Sequence, residues 1–148
     1  MKPGTDYIGV AVGVLLVNEQ GKIFLTKRGQ KATNEVGTWE IPGGKVEFGE
    51  LLEEAATREM QEEYAVEIEL LHQFPAQTHL LPREKQHWVP TCFLAQITRG
   101  VPVICEPEKC EAIGWFEVSD LPSPLSVITS LDLESYKRYL SKDEKTEE

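Results

Sequence analysis

Apolar and β-branched residues form short runs along the first part of the chain, and these runs predict strands. The run at 7–17 is almost continuously apolar, which is typical of a strand covered on both faces. A turn at 18–22 follows it, so we expect the run at 22–28 to be its hairpin partner. The loop at 29–37 has no periodicity, and "TWEIPGG" at 38–44 predicts a short strand that ends at its proline and glycines.

The second part of the chain predicts three more strands and two helices. Helix-forming residues without Pro or Gly fill 51–64, and a second helix is expected at 125–140. Pro90 indicates that the middle one of the later strands is an edge or bulged strand. Strands on both sides of one helix, followed by a terminal helix, predict an α/β fold with a mixed sheet between helices. The three later strands are expected at 66–74, 87–98 and 112–118.

The helix at 51–64 has an unusual buried stripe. Leu52, Ala55 and Ala56 lie on one face at helical spacing, and the same stripe continues through Glu59 and Glu63. Like charges at this spacing cost roughly 0.2–0.5 kcal/mol per pair, and unpaired buried carboxylates cost more. The pattern fits either a solvated acidic helix or a cation site. The solvent side is predicted to hold Glu53, Thr57, Arg58, Gln61 and Tyr64.

Length and charge restrict the class of protein and of partner. The chain has 148 residues, enough for a single domain over 1–148, with polar tails at 1–6 and 141–148 that are expected to be flexible. The formal net charge of −10 repels a nucleic-acid backbone, so no nucleic-acid polymer is expected as a partner. A phosphate ligand would require bridging cations.

Cysteine use and hydropathy indicate the compartment. Three cysteines without CxxC spacing are expected to be reduced thiols: Cys92, Cys105 and Cys110. The apolar run at 7–17 is shorter than the ~20 residues of a membrane span and lacks the flanks of a secretory signal. We therefore expect a cytoplasmic protein that does not contact a membrane, as a monomer or homodimer.

The spacing around the acidic helix defines a longer motif. Gly44 is followed after five residues by Glu50, and after seven more by "REMQEE" at 58–63. This resembles the Nudix box, G-x5-E-x7-R-E-U-x-E-E-x-G-U, where U is a bulky apolar residue. Every specified position matches except Ala65, which stands where the family has Gly. In the left-handed conformation usual there, alanine costs about 1 kcal/mol, unless the helix ends differently.

The resemblance covers roughly residues 8–122 and implies a Nudix-type α/β/α sandwich and a metal-dependent hydrolase. It implies that Glu59, Glu62 and Glu63 bind Mg²⁺, or Mn²⁺ as a substitute, helped by the main-chain carbonyl of Gly43. Mg²⁺ prefers such oxygen ligands together with retained waters and substrate phosphates. Arg58 would hold the glutamates in place, with Glu59 and Glu62 in the catalytic set.

Two residues that precede the helix would help to form the same site. Glu50 would fix Arg58 by an ion pair, and Gly44 would let the backbone of its loop approach the ligand. Both are therefore expected beside the substrate.

Residues outside the motif are weaker candidates. Arg28 occupies a place where related triphosphate hydrolases often have a phosphate-binding Arg; otherwise it is a surface charge at a strand end. In the late segment 106–116, Glu108 and Glu111 are candidates for a further ligand or a base, and we favour Glu111. His87 and Trp88 could contact a base, although a strand Trp is more often core. Trp39 and Phe48 could line the pocket or simply pack.

The favoured function is Mg²⁺-dependent hydrolysis of a nucleoside triphosphate to the monophosphate and pyrophosphate. One alternative keeps this chemistry but takes ADP-ribose, a nucleotide sugar or a dinucleoside polyphosphate. Another is a nucleotide-binding module without turnover. The three glutamates favour the enzyme.

Overall fold

The computed structural model describes residues 1–147, with side chains to residue 142. Glu148, the end of the predicted flexible tail, lies outside the described residues, and the flexibility of both tails stays a prediction. The elements are β1 (Gly9–Leu16), β2 (Ile23–Arg28), β3 (Trp39–Glu40), β4 (Gly43–Lys45), α1 (Leu52–Tyr64), β5 (Glu67–Gln73), β6 (His79–Leu81), β7 (Gln86–Arg99), β8 (Cys110–Phe116) and α2 (Val127–Glu147).

The strands form two sheets. The larger has five strands in the order β4-β1-β7-β5, with β6 also paired to β7, and it is mixed because β1 and β7 run parallel. The smaller is antiparallel, in the order β3-β2-β8. The predicted α/β class with a mixed sheet and two helices is therefore confirmed. Within the range described, no helix is both long enough and apolar enough to cross a membrane.

The larger sheet buries apolar side chains on both faces. On one face, Val12 and Val14 of β1 pack with Ala56 and Met60 of α1. On the other, Leu15 of β1 packs in a cluster that includes side chains of α2. Successive side chains of a strand point to opposite faces, so a strand between two helices must be apolar at nearly every position. The nature of β1 as a doubly covered strand is confirmed.

The expected β1–β2 hairpin is wrong. β1 belongs to the five-stranded sheet and β2 to the three-stranded one. Their ends are joined by the isolated bridge between Val17 and Ile23 and by the bond from the N–H of Asn18 to the carbonyl of Lys22 at 3.0 Å. After the turn the chain leaves one sheet and starts the other, where β2 pairs with β3 and β8.

Of the two alternatives expected from Pro90, an edge strand or a bulged strand, the edge strand is wrong, because β7 lies inside the sheet between β1 and β5. The pairing of β7 with β5 is irregular, with two register shifts along it. Pro90 falls between the part of β7 that pairs with β6 and the part that pairs with β5. Proline is tolerated where a ladder is interrupted. Here the main-chain N–H of Gln77 donates to the carbonyl of Pro90 at 2.9 Å.

The glycines expected to end a strand form one instead. Gly43 and Gly44 belong to β4 and pair with Gly13 and Val12 of β1. A Cβ at Gly43 would overlap the carbonyl oxygen of Val12, so only glycine fits this close approach of two backbones. β4 thereby brings the start of the Nudix-like motif onto the sheet next to α1.

The helix α1 follows the predicted stripe in part. Ala55, Ala56 and Glu59 are buried as the spacing predicts, Leu52 and Glu63 are half-buried, and Met60, which the predicted stripe did not include, is buried as well. Tyr64, predicted on the solvent side, is only 3% exposed, and its ring meets Phe24 edge-on with centroids 5.3 Å apart. The last turn of α1 lies against a side chain of the smaller sheet, so a residue placed on the solvent side by helical spacing is covered there.

Ala65 ends α1 in the left-handed conformation, with φ 58° and ψ 37°. Its N–H donates to the carbonyl of Gln61 at 3.0 Å, and the N–H of Val66 donates to the carbonyl of Met60 at 3.5 Å. Alanine pays a steric cost there that glycine avoids. We expect Ala65→Gly to raise the free energy of unfolding by about 1 kcal/mol, measured by urea denaturation. Ala76→Gly, in a loop where φ is not positive, is the control and should not stabilise. Equal effects from the two substitutions would contradict this explanation.

Candidate active site

Arg58 is the centre of the polar contacts around α1. Its Nε and Nη2 donate to the two carboxylate oxygens of Glu50 at 2.6 and 2.9 Å, a bidentate pair. Its Nη1 donates to Glu59 at 3.0 Å and to Glu62 at 3.2 Å. Its Nη2 also donates to the carbonyl of Lys45 in β4 at 3.0 Å. One guanidinium therefore fixes three carboxylates and a strand relative to one another.

The pair formed by Arg58 and Glu50 stays ionised over a wide pH range. The hydrogen bonds that Glu50 accepts from Arg58 lower the pKa of Glu50 to about 2. The same bonds raise the pKa of Arg58 above its already high value. The predicted ion pair between these residues is thus present, and both partners are charged near neutral pH.

Glu59 is the buried member of the set, only 9% exposed. It packs directly against Gly44, where a Cβ would overlap its carboxylate. Gly44 therefore makes room for Glu59, which accounts for a glycine at this position of the motif. The predicted contact of Gly44 with substrate stays a prediction.

Glu63 is half-buried beside Glu59. Burial, and then the charge of Glu59, raise the pKa of Glu63 to about 8, and Glu106 and Glu40 add to the shift. Four carboxylates, from α1, β3 and the segment before β8, therefore influence one another at the end of α1. Such a cluster favours a bound cation.

Glu106 joins the cluster because the segment before it is fastened to the end of α1. The N–H groups of Val103 and Cys105 donate to the carbonyls of Tyr64 and Glu63, each at 3.1 Å. Lys109 forms an ion pair with Glu106 at 3.2 Å. The sequence indicated this segment but not Glu106, since no periodicity shows which loop side chain faces the helix.

The two glutamates predicted from the late segment lie elsewhere in it. Glu111 is in β8, about half exposed, and pairs with Lys27 at 3.5 Å. Glu108 is exposed in the turn before β8. Neither is among the groups that shift the pKa of Glu63. The catalytic role of Glu111 stays a prediction, while the geometry favours Glu106.

Arg28 stands at the end of β2 with most of its guanidinium engaged. Its Nε donates to the carbonyl of Asn34 and its Nη1 to the Glu40 carboxylate, both at 2.8 Å. Glu40 in turn is one of the groups that raise the pKa of Glu63. Arg28 therefore lies next to the carboxylate cluster, and its role in binding phosphate stays a prediction.

The aromatic candidates divide into packed and exposed residues. Trp39 packs edge-on against Phe116, with centroids 5.2 Å apart, and belongs to the core. Phe48 is fully exposed in the loop that precedes Glu50. His87 and Trp88 are half-buried in β7, and the Trp88 ring covers Gly4 and Gly9.

The donor set around Arg58 suits a hard divalent cation. Carboxylate and carbonyl oxygens are the ligands that Mg²⁺ takes in proteins. In the part of the chain that the structure describes, no three acidic, histidine or cysteine side chains are arranged as a finished metal site. Glu59 and Glu62 instead direct oxygens to Nη1 of Arg58. Glu59, Glu62 and Glu63 would hold the ion, with Gly43 at the adjoining strand.

Comparison with known proteins identifies the same region. A family model described as NUDIX domain matches residues 8–139. An RNA pyrophosphohydrolase of Novosphingobium aromaticivorans is 43% identical, over 75% of this chain and 78% of its own. The crystal structure of a MutT NUDIX hydrolase from Burkholderia pseudomallei superposes with a TM-score of 0.81 at 37% identity, covering 87% of this chain and 98% of that one.

Some relatives are much longer. The mouse 8-oxo-dGDP phosphatase NUDT18 is 30% identical over 84% of this chain, and this chain spans only 36% of its length. The names of these relatives give different substrates.

Proposed function

Because this chain belongs to the NUDIX domain family, we propose that it is a Mg²⁺-dependent pyrophosphohydrolase of nucleotides. The favoured substrate is a nucleoside triphosphate, cleaved by water to the monophosphate and pyrophosphate. Mn²⁺ is expected to replace Mg²⁺. The names of the relatives, which include a phosphatase of a nucleoside diphosphate and an RNA pyrophosphohydrolase, agree on cleavage of phosphate anhydrides.

The observation that carries this proposal is the convergence of Glu59 and Glu62 on one guanidinium nitrogen of Arg58, at 3.0 and 3.2 Å, with Glu63 beside them. The carboxylates of this surface, in a chain with a net charge of −10, repel a substrate with several phosphate charges. A cation bound between the carboxylates and the phosphates attracts both sets of negative charges and offsets their repulsion. The cluster thus suits a polyphosphate ligand delivered with divalent metal.

Each residue of the cluster has a separate task in this proposal. Glu59, Glu62 and Glu63 hold the cation, and bound Mg²⁺ supplies charge neutralisation and a more acidic attacking water. Arg58 and Glu50 orient the carboxylates. Glu106 is placed to accept a proton or complete the ligand set, since it adjoins Glu63 but belongs to a different segment. Arg28 would face the phosphate chain.

A substrate panel with pyrophosphate and phosphate release as separate readouts tests the proposal. We expect Mg²⁺-dependent release of pyrophosphate from at least one free nucleoside triphosphate, and loss of that release with EDTA. The panel includes ADP-ribose, a nucleotide sugar, a dinucleoside polyphosphate, 8-oxo-dGDP and an RNA with a 5′-triphosphate. If one of these compounds is hydrolysed and no free nucleoside triphosphate is, the proposed substrate is wrong while the proposed type of reaction stands.

If the protein binds a nucleotide but turns over no member of the panel, it is a binding module and the proposed enzymatic function is wrong. Calorimetry with a non-hydrolysable triphosphate, with and without Mg²⁺, detects that case.

A further inference from the structure

Lys109 lies in the turn that carries Glu106, directly before β8. Its ammonium is 3.2 Å from Glu106 Oε2, and its side chain is 65% exposed, against 33% for that of Glu106. The contact with Glu106 raises the pKa of Lys109 above its usual value, and the charge of Glu63 adds to the shift. Lys109 is therefore a cation of the carboxylate cluster whose side chain lies mostly in solvent.

The contact between Lys109 and Glu106 is a loose one. Glu106 Oε2 is buried, yet none of the described residues offers it a donor in hydrogen-bonding geometry. The ammonium thus lies at ion-pair distance without making a directed hydrogen bond. A buried carboxylate oxygen in this condition is uncommon and costs free energy, so a closer cation would stabilise it. Mg²⁺ binds carboxylate oxygens at about 2.1 Å, much closer than an ammonium comes.

The two guanidinium groups beside the cluster are held more firmly than this ammonium. Arg58 donates to three carboxylates and to a main-chain carbonyl. Arg28 donates to the carboxylate of Glu40 and to the carbonyl of Asn34. Either guanidinium would have to break several hydrogen bonds to leave, whereas Lys109 would break one ion pair. Lysine also carries a compact, strongly hydrated charge on a flexible stem.

The main chain around Lys109 is fixed, so its side chain can move alone. The N–H of Gly29, which follows β2, donates to the carbonyl of Lys109 at 2.9 Å. The N–H groups of Lys109 and Cys110 donate to the carbonyl of Glu106 at 3.0 and 3.1 Å. These bonds keep the turn closed when the ammonium swings away. Glu106 therefore stays next to the cluster whether or not Lys109 is in contact with it.

We propose that Lys109 is a displaceable counter-charge, which balances Glu106 and Glu63 before metal binds and is released into solvent when a divalent cation arrives. This inference rests on the proposed function and concerns how metal controls the same site. Without metal, the ammonium reduces the repulsion between the carboxylates. Because the ion pair has to break before the site is filled, Lys109 sets how much metal the site requires.

Binding of Mn²⁺ without nucleotide tests the displacement, with free Mn²⁺ measured by its electron paramagnetic resonance signal. We expect Lys109→Ala to bind Mn²⁺ about fivefold more tightly than wild type, because no ion pair has to break; this corresponds to roughly 1 kcal/mol. Lys27→Ala is the matched control, since it removes an ammonium that pairs with Glu111 at 3.5 Å. It should leave the affinity unchanged. Unchanged or weaker binding in Lys109→Ala would overturn the proposal, as would equal tightening in the control.

A double-mutant cycle with Glu106→Gln separates the ion pair from the net charge of the chain. Glu106→Gln removes the carboxylate charge that Lys109 contacts. Adding Lys109→Ala to this variant should therefore change the Mn²⁺ affinity by less than about twofold. A fivefold gain in both backgrounds would show that Lys109 only repels the metal at a distance, and the proposed displacement would be wrong.

Melting temperatures measure the other side of the same equilibrium and check the fold. In EDTA, Lys109→Ala should melt below wild type, because the carboxylates lose a counter-charge. With saturating Mn²⁺ the two proteins should melt alike, since the metal has taken over that role. A difference of the same size with and without Mn²⁺, or none in EDTA, would reduce Lys109 to an ordinary surface ion pair and overturn the inference.

These measurements need no turnover, so they separate this inference from the proposed function. The expected Mn²⁺ affinities in a protein that hydrolyses no nucleotide would support the displacement and remove the enzymatic function. Metal-dependent hydrolysis with equal Mn²⁺ affinities in wild type and Lys109→Ala would support the function and remove the displacement. Failure of the wild type to bind Mn²⁺ would overturn the displacement by itself.

Discussion

Glu62→Gln is expected to lower kcat on the best nucleotide substrate by about 10³-fold while leaving the fold intact. The side chain of Glu62 is 56% exposed, and its one described contact is the bond from Arg58 at 3.2 Å. Exposed ion pairs contribute little to stability, so the amide should be tolerated. The substitution removes one of the three carboxylate charges that would hold the cation. Withdrawing several kcal/mol of metal-dependent stabilisation corresponds to a loss of this size.

The measurement compares kcat with Mg²⁺ titrated well above saturation for the wild type, so that lost affinity and lost turnover are separated. Glu53→Gln is the matched control, because it makes the same change on an exposed face of α1 and should keep wild-type kcat. Circular dichroism and melting temperature check both folds. Near-normal turnover in Glu62→Gln would show that the metal assignment is wrong.

The layered fold was predictable where the signal is local. The continuous apolar run of β1 requires cover on both faces, and the two helices supply it. The partner of β2 was not predictable in the same way. The turn at 18–22 is compatible with a hairpin, but pairing with β8 joins residues about ninety positions apart, and local pattern does not encode that choice. The edge strand expected from Pro90 was wrong for a related reason. Pro90 lies where the pairing partner of β7 changes from β6 to β5, and that position depends on where those two strands end.

The site was predictable as far as one helix determines it. Helical spacing alone places Glu59 and Glu63 on the buried stripe, and the ion pair between Arg58 and Glu50 is present as expected. The approach of Glu106 was not predictable. It depends on two backbone bonds from the segment before it to the carbonyls that end α1.

Arg58→Ala is expected to lower kcat/KM by on the order of 10²-fold, although Arg58 touches neither water nor phosphate in the proposed reaction. Its guanidinium binds Glu50, Glu59 and Glu62 and also the carbonyl of Lys45. Without the guanidinium, the three carboxylates repel one another, and the hydrogen bond that ties them to the Lys45 carbonyl of β4 is lost. A displacement of about 1 Å at such a site can cost about 10²-fold in rate.

Arg58→Lys distinguishes positioning from charge alone. Lysine keeps the positive charge but cannot make the bidentate pair with Glu50 and still reach the other two carboxylates. We therefore expect Arg58→Lys to recover less than a tenth of the lost kcat/KM, with an apparent Mg²⁺ affinity below wild type. Arg58→Ala should also melt at a lower temperature near pH 7, because Glu50 loses the cation that lowers its pKa from 4.5 to about 2. The difference should persist at pH 5 and narrow only as the pH falls below 4.5 toward 2, where Glu50 protonates. Full recovery by lysine would mean that charge is sufficient, and wild-type kcat/KM and Mg²⁺ affinity in Arg58→Ala would show that the guanidinium does not organise the site.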